Sequence, residues 1–170
     1  MKIGVLSDSH FKSDYTKEVI NLLKEKGCQY LIHAGDLCIE KNLELLVESK
    51  LPYVSVFGNN DRGLVAVSNK YVIKQEPYYF KIKDITFKLM HMPYHLSPDS
   101  NIVIFGHTHI FECEYKNNTL FLNPGEVCAR EKPHIECALL EINENEYIIS
   151  HYFKDINKNN YEKEEYKYER

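Results

Sequence analysis

Five short polar signatures carry the residue types that bind metal and activate water: Asp8-x-His10, Gly35-Asp36, Gly58-Asn59-Asn60-Asp61, His91, and Gly106-His107-Thr108-His109. Each follows an apolar run that reads as a strand: Ile3 to Leu6, Tyr30 to Ala34, Tyr53 to Phe57, Ile85 to Met90 and Asn101 to Phe105. In open α/β sheets ligands sit beyond the carboxyl ends of the strands, so groups in these positions can converge. Glycine before Asp36, Asn59 and His107 lets the backbone turn sharply and brings the next side chain close to an ion. Residues at i and i+2 of an extended segment face the same side, so Asp8 with His10, and His107 with His109, can aim together. Two such pairs with Asp36, Asn59 and His91 make seven mixed nitrogen and oxygen ligands, more than one ion takes up and a fitting number for two ions that share a carboxylate and a solvent. Any one signature alone is weak; it is their order and placement after strands that carries the reading.

The elements around them divide the chain in two. An amphipathic stretch with Val19, Ile20, Leu22 and Leu23 on one face is a helix that Gly27 stops, and Leu43 to Val47 is a second. Strand, helix, strand, helix, strand up to Phe57 predicts a parallel α/β layer. Beyond Asp61 helix signals nearly vanish. Tyr71–Ile73, Tyr78–Lys83, Glu112–Tyr115, Thr119–Leu122, Cys137–Ile142 and Glu146–Phe153 read as strands joined by short turns, with hairpins at Asn117-Asn118 and 143–145. The expected fold is α/β, a four-layer α/β/β/α sandwich of two mixed β-sheets flanked by helices. One domain is expected over residues 1–156. Residues 157–170, dense in Asn, Lys, Glu and Tyr, read as a charged polar C-terminal tail, solvated or a frayed helix. The alternative uses Tyr161, Tyr166 and Tyr168 as an interface patch in a homo-oligomer.

Composition narrows the class. A chain of 170 residues with 44% hydrophobic content builds a core without staples, and a net charge of −4 argues against strong nonspecific nucleic-acid binding. Five cysteines without a Cys-x-x-Cys pair argue against a zinc ribbon or a disulfide framework, leaving buried free thiols. Asp8 and His10 interrupt the first apolar stretch before it reaches signal-peptide length, and no run approaches the roughly 20 residues of a membrane span. A cytoplasmic protein with no membrane contact is expected.

The quoted motifs resemble the calcineurin-like metallophosphoesterases, and best the small bacterial and archaeal phosphodiesterase branch that shares its fold with the retromer subunit of the vacuolar sorting 29 type. The likeness runs to about Phe153, and Asn123-Pro124-Gly125 resembles the turn that this branch carries after its last ligand pair. By resemblance, Asp8, His10 and His109 hold one ion, Asn59, His91 and His107 the other, and Asp36 bridges them. Two divalent ions against two carboxylates leave a charge of about +2, or about +1 after a bridging hydroxide, which suits an anionic phosphoester. The resemblance implies attack of that hydroxide on phosphorus and hydrolysis of phosphoesters, phosphodiesters first. Manganese leads among the two divalent transition-metal ions, with nickel, iron and zinc also suited. Asp36, Asn59, Asn60 and His91 form the implied catalytic set. A small phosphoester is the expected partner.

Two departures stand out. Family members carry His, or in the small branch Cys, where this chain has Asn60, so a general acid is missing there. The branch reads His-Gly-His where this chain has His91 followed by Met92, Pro93, Tyr94 and His95. His91 is taken as ligand from its place at the strand end, with His95 as a substrate contact or the ligand in its stead. Asp61 orients its loop, Arg62 contacts phosphate or is solvated, and Tyr94 lines the pocket. The competing function is a non-catalytic or weakly active protein-binding scaffold of the retromer-subunit type, which intact ligands argue against.

Overall fold

A computed structural model describes residues 1–170. The strands are β1 (Lys2–Leu6), β2 (Tyr30–His33), β3 (Tyr53–Val56), β4 (Ile73–Lys74), β5 (Tyr78–Ile82), β6 (Ile85–Leu89), β7 (Ile102–Ile104), β8 (Phe111–Lys116), β9 (Thr119–Pro124), β10 (His134–Ile142), β11 (Glu146–Asp155) and β12 (Glu162–Glu169). Helices α1 (Ser13–Glu25) and α2 (Glu40–Glu48) lie between the first three strands, and a 3₁₀ segment spans Asp61–Lys70. None of the helices is long and apolar enough to cross a membrane. A seven-stranded sheet runs β12-β11-β10-β1-β2-β3-β4, and a five-stranded sheet runs β5-β6-β7-β9-β8. Both are mixed: β1, β2, β3 and β4 pair in parallel, while β10 joins β1 antiparallel.

Alternation along each strand builds the layers. Ile3, Val5, Ile32, Ala138 and Leu140 meet Phe87, Leu89, Ile102, Ile104, Leu120 and Leu122 of the second sheet in one buried cluster. The opposite faces, with Leu6, Leu31, Cys137 and Leu139, meet Val19, Ile20 and Leu23 of α1 and Leu43, Leu45 and Leu46 of α2. Each such aliphatic side chain contributes about 1.5–3 kcal/mol when fully buried. Gly4 leaves room for its neighbours, since a Cβ there would stand 2.9 Å from side-chain carbons of both Leu23 on α1 and Leu31 on β2. On the outer face of the second sheet Met90, Val103, Phe105 and Phe121 form a small cluster of their own.

The C-terminal residues differ from expectation. Instead of a solvated tail or frayed helix, Glu162–Glu169 form edge strand β12, antiparallel to β11. The physical reason is the alternation of Tyr166 and Tyr168 with charged residues. The two rings pack against the inter-sheet core, and Tyr168 Oη donates to the Cys113 carbonyl at 2.9 Å, tying one sheet to the other. The charges of Lys163, Glu165 and Lys167 remain on the exposed side of an edge strand, where they discourage pairing with another chain.

Candidate metal centre

All five signatures lie in loops at the carboxyl ends of β1, β2, β3, β6 and β7. Backbone hydrogen bonds stitch these loops together. Asp8 N donates to the Gly35 carbonyl at 3.0 Å, His10 N to that of Asp36 at 2.9 Å, and Gly106 N to that of His91 at 3.2 Å. Asn42, buried on α2, donates from one amide to the carbonyls of His10 and Leu37, both at 2.7 Å. The Asp61 carboxylate takes the N–H of Cys38 at 2.6 Å and of Gly58 at 2.8 Å, holding the second and third loops in register. Burial raises the Asp61 carboxyl above its usual range even though these N–H groups oppose the shift.

The sharp turns are made by the candidate ligands themselves. Asp8, His10, Asp36, His107 and His109 all have φ between 44° and 69°, a left-handed conformation that non-glycine residues seldom adopt and that concentrates where geometry is imposed by a site. The pairs therefore do not aim together as alternate residues of an extended strand, as their spacing suggests; consecutive left-handed turns aim them. Gly58 and Gly106 have a different reason to be glycine. A Cβ on Gly58 would overlap the Asp36 carboxylate, and one on Gly106 would overlap Ser7 Oγ and crowd Asp8.

Asp36 is buried, its Oδ1 accepting Asn60 N at 2.9 Å and its Oδ2 accepting Asn60 Nδ2 at 2.6 Å. Around Oδ2 stand His91 Nε2 at 3.4 Å and His10 Nε2 at 3.7 Å. His91 Nε2 and His107 Nδ1 also face Asn59 Oδ1, at 3.0 and 3.1 Å. On the other side His109 Nε2 is 3.2 Å from Asp8 Oδ1, and the rings of His10 and His109 stack with centroids 5.3 Å apart. Asp8 Oδ1 and His10 Nε2 are buried without a hydrogen-bond partner. Ligand atoms of Asp8, Asp36 and His91 lie within 4.8 Å of one another, and so do those of His10, His109 and Cys128.

Protonation follows from these contacts. His91 Nδ1 is 2.8 Å from the Ala34 carbonyl, which can only accept, so Nδ1 carries a proton. In the neutral ring Nε2 then turns a lone pair toward Asp36 Oδ2 and Asn59 Oδ1, three acceptors around one point, an arrangement that a cation relieves. Where a proton takes that place, burial opposes the charged ring, but the Asp36 hydrogen bond and the charges of Asp8 and Asp36 outweigh it and lift His91 to about 8. Burial would raise Asp36, yet its contacts with His91 and Asn60 hold it below the usual carboxylate range. His10 is lowered, chiefly by burial, and so remains a neutral nitrogen donor. Beneath the centre His33, fully buried and bonded through Nε2 to Ser9 Oγ at 2.8 Å, is lowered to about 3 by burial.

Not every sequence-level candidate joins the cluster. His91 does, with its N–H held by Glu76 Oε2 at 2.5 Å, whereas His95 lies exposed and only its carbonyl is engaged, by the buried Lys88 at 2.7 Å. Tyr94 is 73% exposed on the same loop, and Arg62 is exposed at the start of the 3₁₀ segment with no hydrogen bond or ion pair to any ligand. Asn60 belongs to the site through Asp36. Other participants were missed. Arg130 Nη2 is 3.2 Å from His109 Nε2, Glu126 Oε2 is 2.5 Å from His109 Nδ1, and Cys38 Sγ is 3.3 Å from His10 Nδ1. Cys38 and Cys128 thus flank the two stacked histidines, though burial pushes Cys38 up to about 12 and Cys128 higher, which keeps both as thiols. The only sequence signal for Glu126 and Arg130 was the Asn123-Pro124-Gly125 turn just before them.

Two stacked mixed sheets whose loops gather imidazole, carboxylate and carboxamide groups at one end define an α/β sandwich of the metallophosphoesterase class. The chain belongs to the calcineurin-like phosphoesterase superfamily, whose domain model matches residues 1–145. It is 26% identical over 163 residues to phosphodiesterase MJ0936 of Methanocaldococcus jannaschii, a match that covers 86% of this chain and 96% of that protein. Among solved structures, a novel archaeal phosphodiesterase is 25% identical with a TM-score of 0.73, over 86% of this chain and 97% of the other. A single mutant of Vps29 from Entamoeba histolytica has a TM-score of 0.78 at 22% identity, over 99% of each chain.

Proposed function

We propose that this chain is a two-metal phosphodiesterase in which Asp8, His10 and His109 hold one divalent transition-metal ion, Asn59, His91 and His107 hold the other, and Asp36 bridges them. The observation that carries the reading is the convergence of metal-binding atoms at one place: His91 Nε2 with Asp36 Oδ2 and Asn59 Oδ1, and His109 Nε2 with Asp8 Oδ1, which like His10 Nε2 is buried without a hydrogen-bond partner. Oxygen and imidazole donors of this kind suit manganese, iron, nickel or zinc. Such ions supply Lewis acidity and an acidified water when bound. The chain's own residues do the rest. Asp36 Oδ2 stands between His91 and His10, and Asn60 fixes that carboxylate with two hydrogen bonds. Arg130 brings a guanidinium to the mouth of the site, where a phosphate oxygen can pair with it. The Asn60 amide is engaged by Asp36 and delivers no proton to a leaving group.

Chelation followed by reconstitution tests the reading. Protein stripped of metal should not hydrolyse aryl phosphodiesters, and manganese or a neighbouring ion should restore turnover; hydrolysis in excess chelator after confirmed metal loss overturns it. A protein-binding scaffold is the second reading, favoured by exposed apolar residues that directly follow or closely neighbour ligands: Phe11 at 72%, Tyr94 at 73% and Ile110 at 56% exposure. Metal-restored turnover of any phosphoester separates the two.

A further inference from the structure

We propose that Glu126 is a positioning residue that fixes the tautomer and orientation of His109, so that Nε2, stripped of its proton, faces Asp8. The proposal rests on the two-ion reading only for what Nε2 then holds. Glu126 is fully buried, and its carboxylate is the hub of the loop after β9. Oε1 accepts the backbone N–H groups of Glu131 at 2.8 Å and Lys132 at 2.9 Å. Oε2 accepts Arg130 N at 3.0 Å and the Cys128 thiol at 3.2 Å, and lies 2.5 Å from His109 Nδ1. A carboxylate on which three N–H groups and a thiol converge acts as an acceptor, so the shared proton belongs to His109 Nδ1.

The other end of the ring leads to the same assignment independently. Nε2 is 3.2 Å from Arg130 Nη2, and a guanidinium can only donate. Its lone pair is therefore on Nε2, which also stands 3.2 Å from the buried, unpartnered Asp8 Oδ1. A second buried carboxylate keeps Glu126 from moving. Glu136 N donates to the Glu126 carbonyl at 2.8 Å, and the Glu136 side chain pairs with Lys132 Nζ at 2.9 and 3.0 Å, closing the loop onto β10. A carboxylate behind a metal-binding histidine selects the ring tautomer and raises its donor strength.

Replacing Glu126 with Gln reverses the instruction. An amide nitrogen at the Oε2 position donates to His109 Nδ1 and drives the ring proton to Nε2, where it meets Asp8 in place of a cation. The opposite amide orientation sets NH₂ against the N–H groups of Glu131 and Lys132. The experiment reads imidazole ¹⁵N shifts in the metal-stripped wild type at a pH about two units above the usual histidine value of about 6.5, with His109→Gln for assignment. Manganese is then titrated into wild type, Glu126→Gln and Glu126→Asp, with the affinity of each site read by calorimetry. Expected are a protonated Nδ1 and a bare Nε2 on His109, an affinity loss of about 10–100-fold at one of the two sites in Glu126→Gln, and partial recovery in Glu126→Asp. A purely structural role would weaken both sites alike. A wild-type His109 protonated on Nε2 overturns the proposal whatever the variants do, as do unchanged affinities in a folded Glu126→Gln. A wild type that binds no manganese defeats the two-ion reading, and the ¹⁵N shifts still decide the positioning claim.

Discussion

Asp36→Asn is the substitution that strains this site at most points. The carboxylate accepts two hydrogen bonds from Asn60, and an Asn side chain can satisfy only one of those donors; the other faces NH₂. Asn60 is exposed, so water can reach the donor left over, and the loss is that of one net hydrogen bond, about 0.5–1.5 kcal/mol. The second loss is pH-dependent. Contact with Asp36 helps lift His91 from 6.5 to about 8 against its burial, and a rise of about 1.5 units corresponds to about 2 kcal/mol for a fully buried ring. Because the folded value is the higher one, that stabilisation of the metal-free protein is complete below about pH 6.5 and disappears as pH rises through about 8. Asp36→Asn should therefore destabilise metal-free protein by about 2.5–3.5 kcal/mol at pH 6 and by about 0.5–1.5 kcal/mol at pH 9. At about 2–4 °C per kcal/mol for a chain of this size, the melting-point deficit should differ by about 4–8 °C between the two conditions. Differential scanning calorimetry in chelator measures this, and metal analysis with aryl-diester turnover completes the assay. Metal content should fall sharply and turnover by at least about 10²-fold. Equal destabilisation at both pH values would refute the coupling to His91. Full metal occupancy with normal turnover would refute the bridge.

Further outcomes follow from particular contacts. A general acid contributes about 10²–10⁴-fold, and the Asn60 amide is occupied by Asp36, so hydrolysis rates across a diester series should fall steeply as leaving-group pKa rises. Asn60→His should flatten that slope at some cost in metal affinity, while His95→Ala, at an exposed side chain, should leave it unchanged; a shallow wild-type slope contradicts the assignment. The double substitution Tyr166→Ala, Tyr168→Ala should remove about 3 kcal/mol by uncovering the core beside Phe111 and Tyr115 and breaking the bond to Cys113, lowering the melting point by about 6–12 °C without changing metal content. An unchanged melting point would mean that β12 contributes no stability.

The sequence by itself determined the layers and the placement of the chemistry. Apolar alternation is local, so Ile3 to Leu6, Tyr30 to Ala34 and Asn101 to Phe105 were legible as strands within a residue or two of β1, β2 and β7. A polar signature after each strand sufficed to anticipate that residues as distant as Asp8 and His109 meet, because parallel strands deliver their carboxyl ends to one edge. The tail was misread for the same reason: Tyr166 and Tyr168 sit among charges, and only the groove between the sheets makes their alternation apolar on one side. Only the tertiary structure buries His91 beside Asp36 and leaves His95 exposed, since both follow the same strand and loop closure covers just one of them. It also decided the parts played by Glu126, Arg130, Cys38 and Cys128. A glutamate or a thiol has no local pattern that marks it as a partner of histidine; its role comes from a contact across the fold, as when the Glu126 carboxylate reaches His109, 17 residues away. Finally, the left-handed backbone at Asp8, His10, Asp36, His107 and His109 has no sequence signature, because the strain is imposed by loops locked to one another.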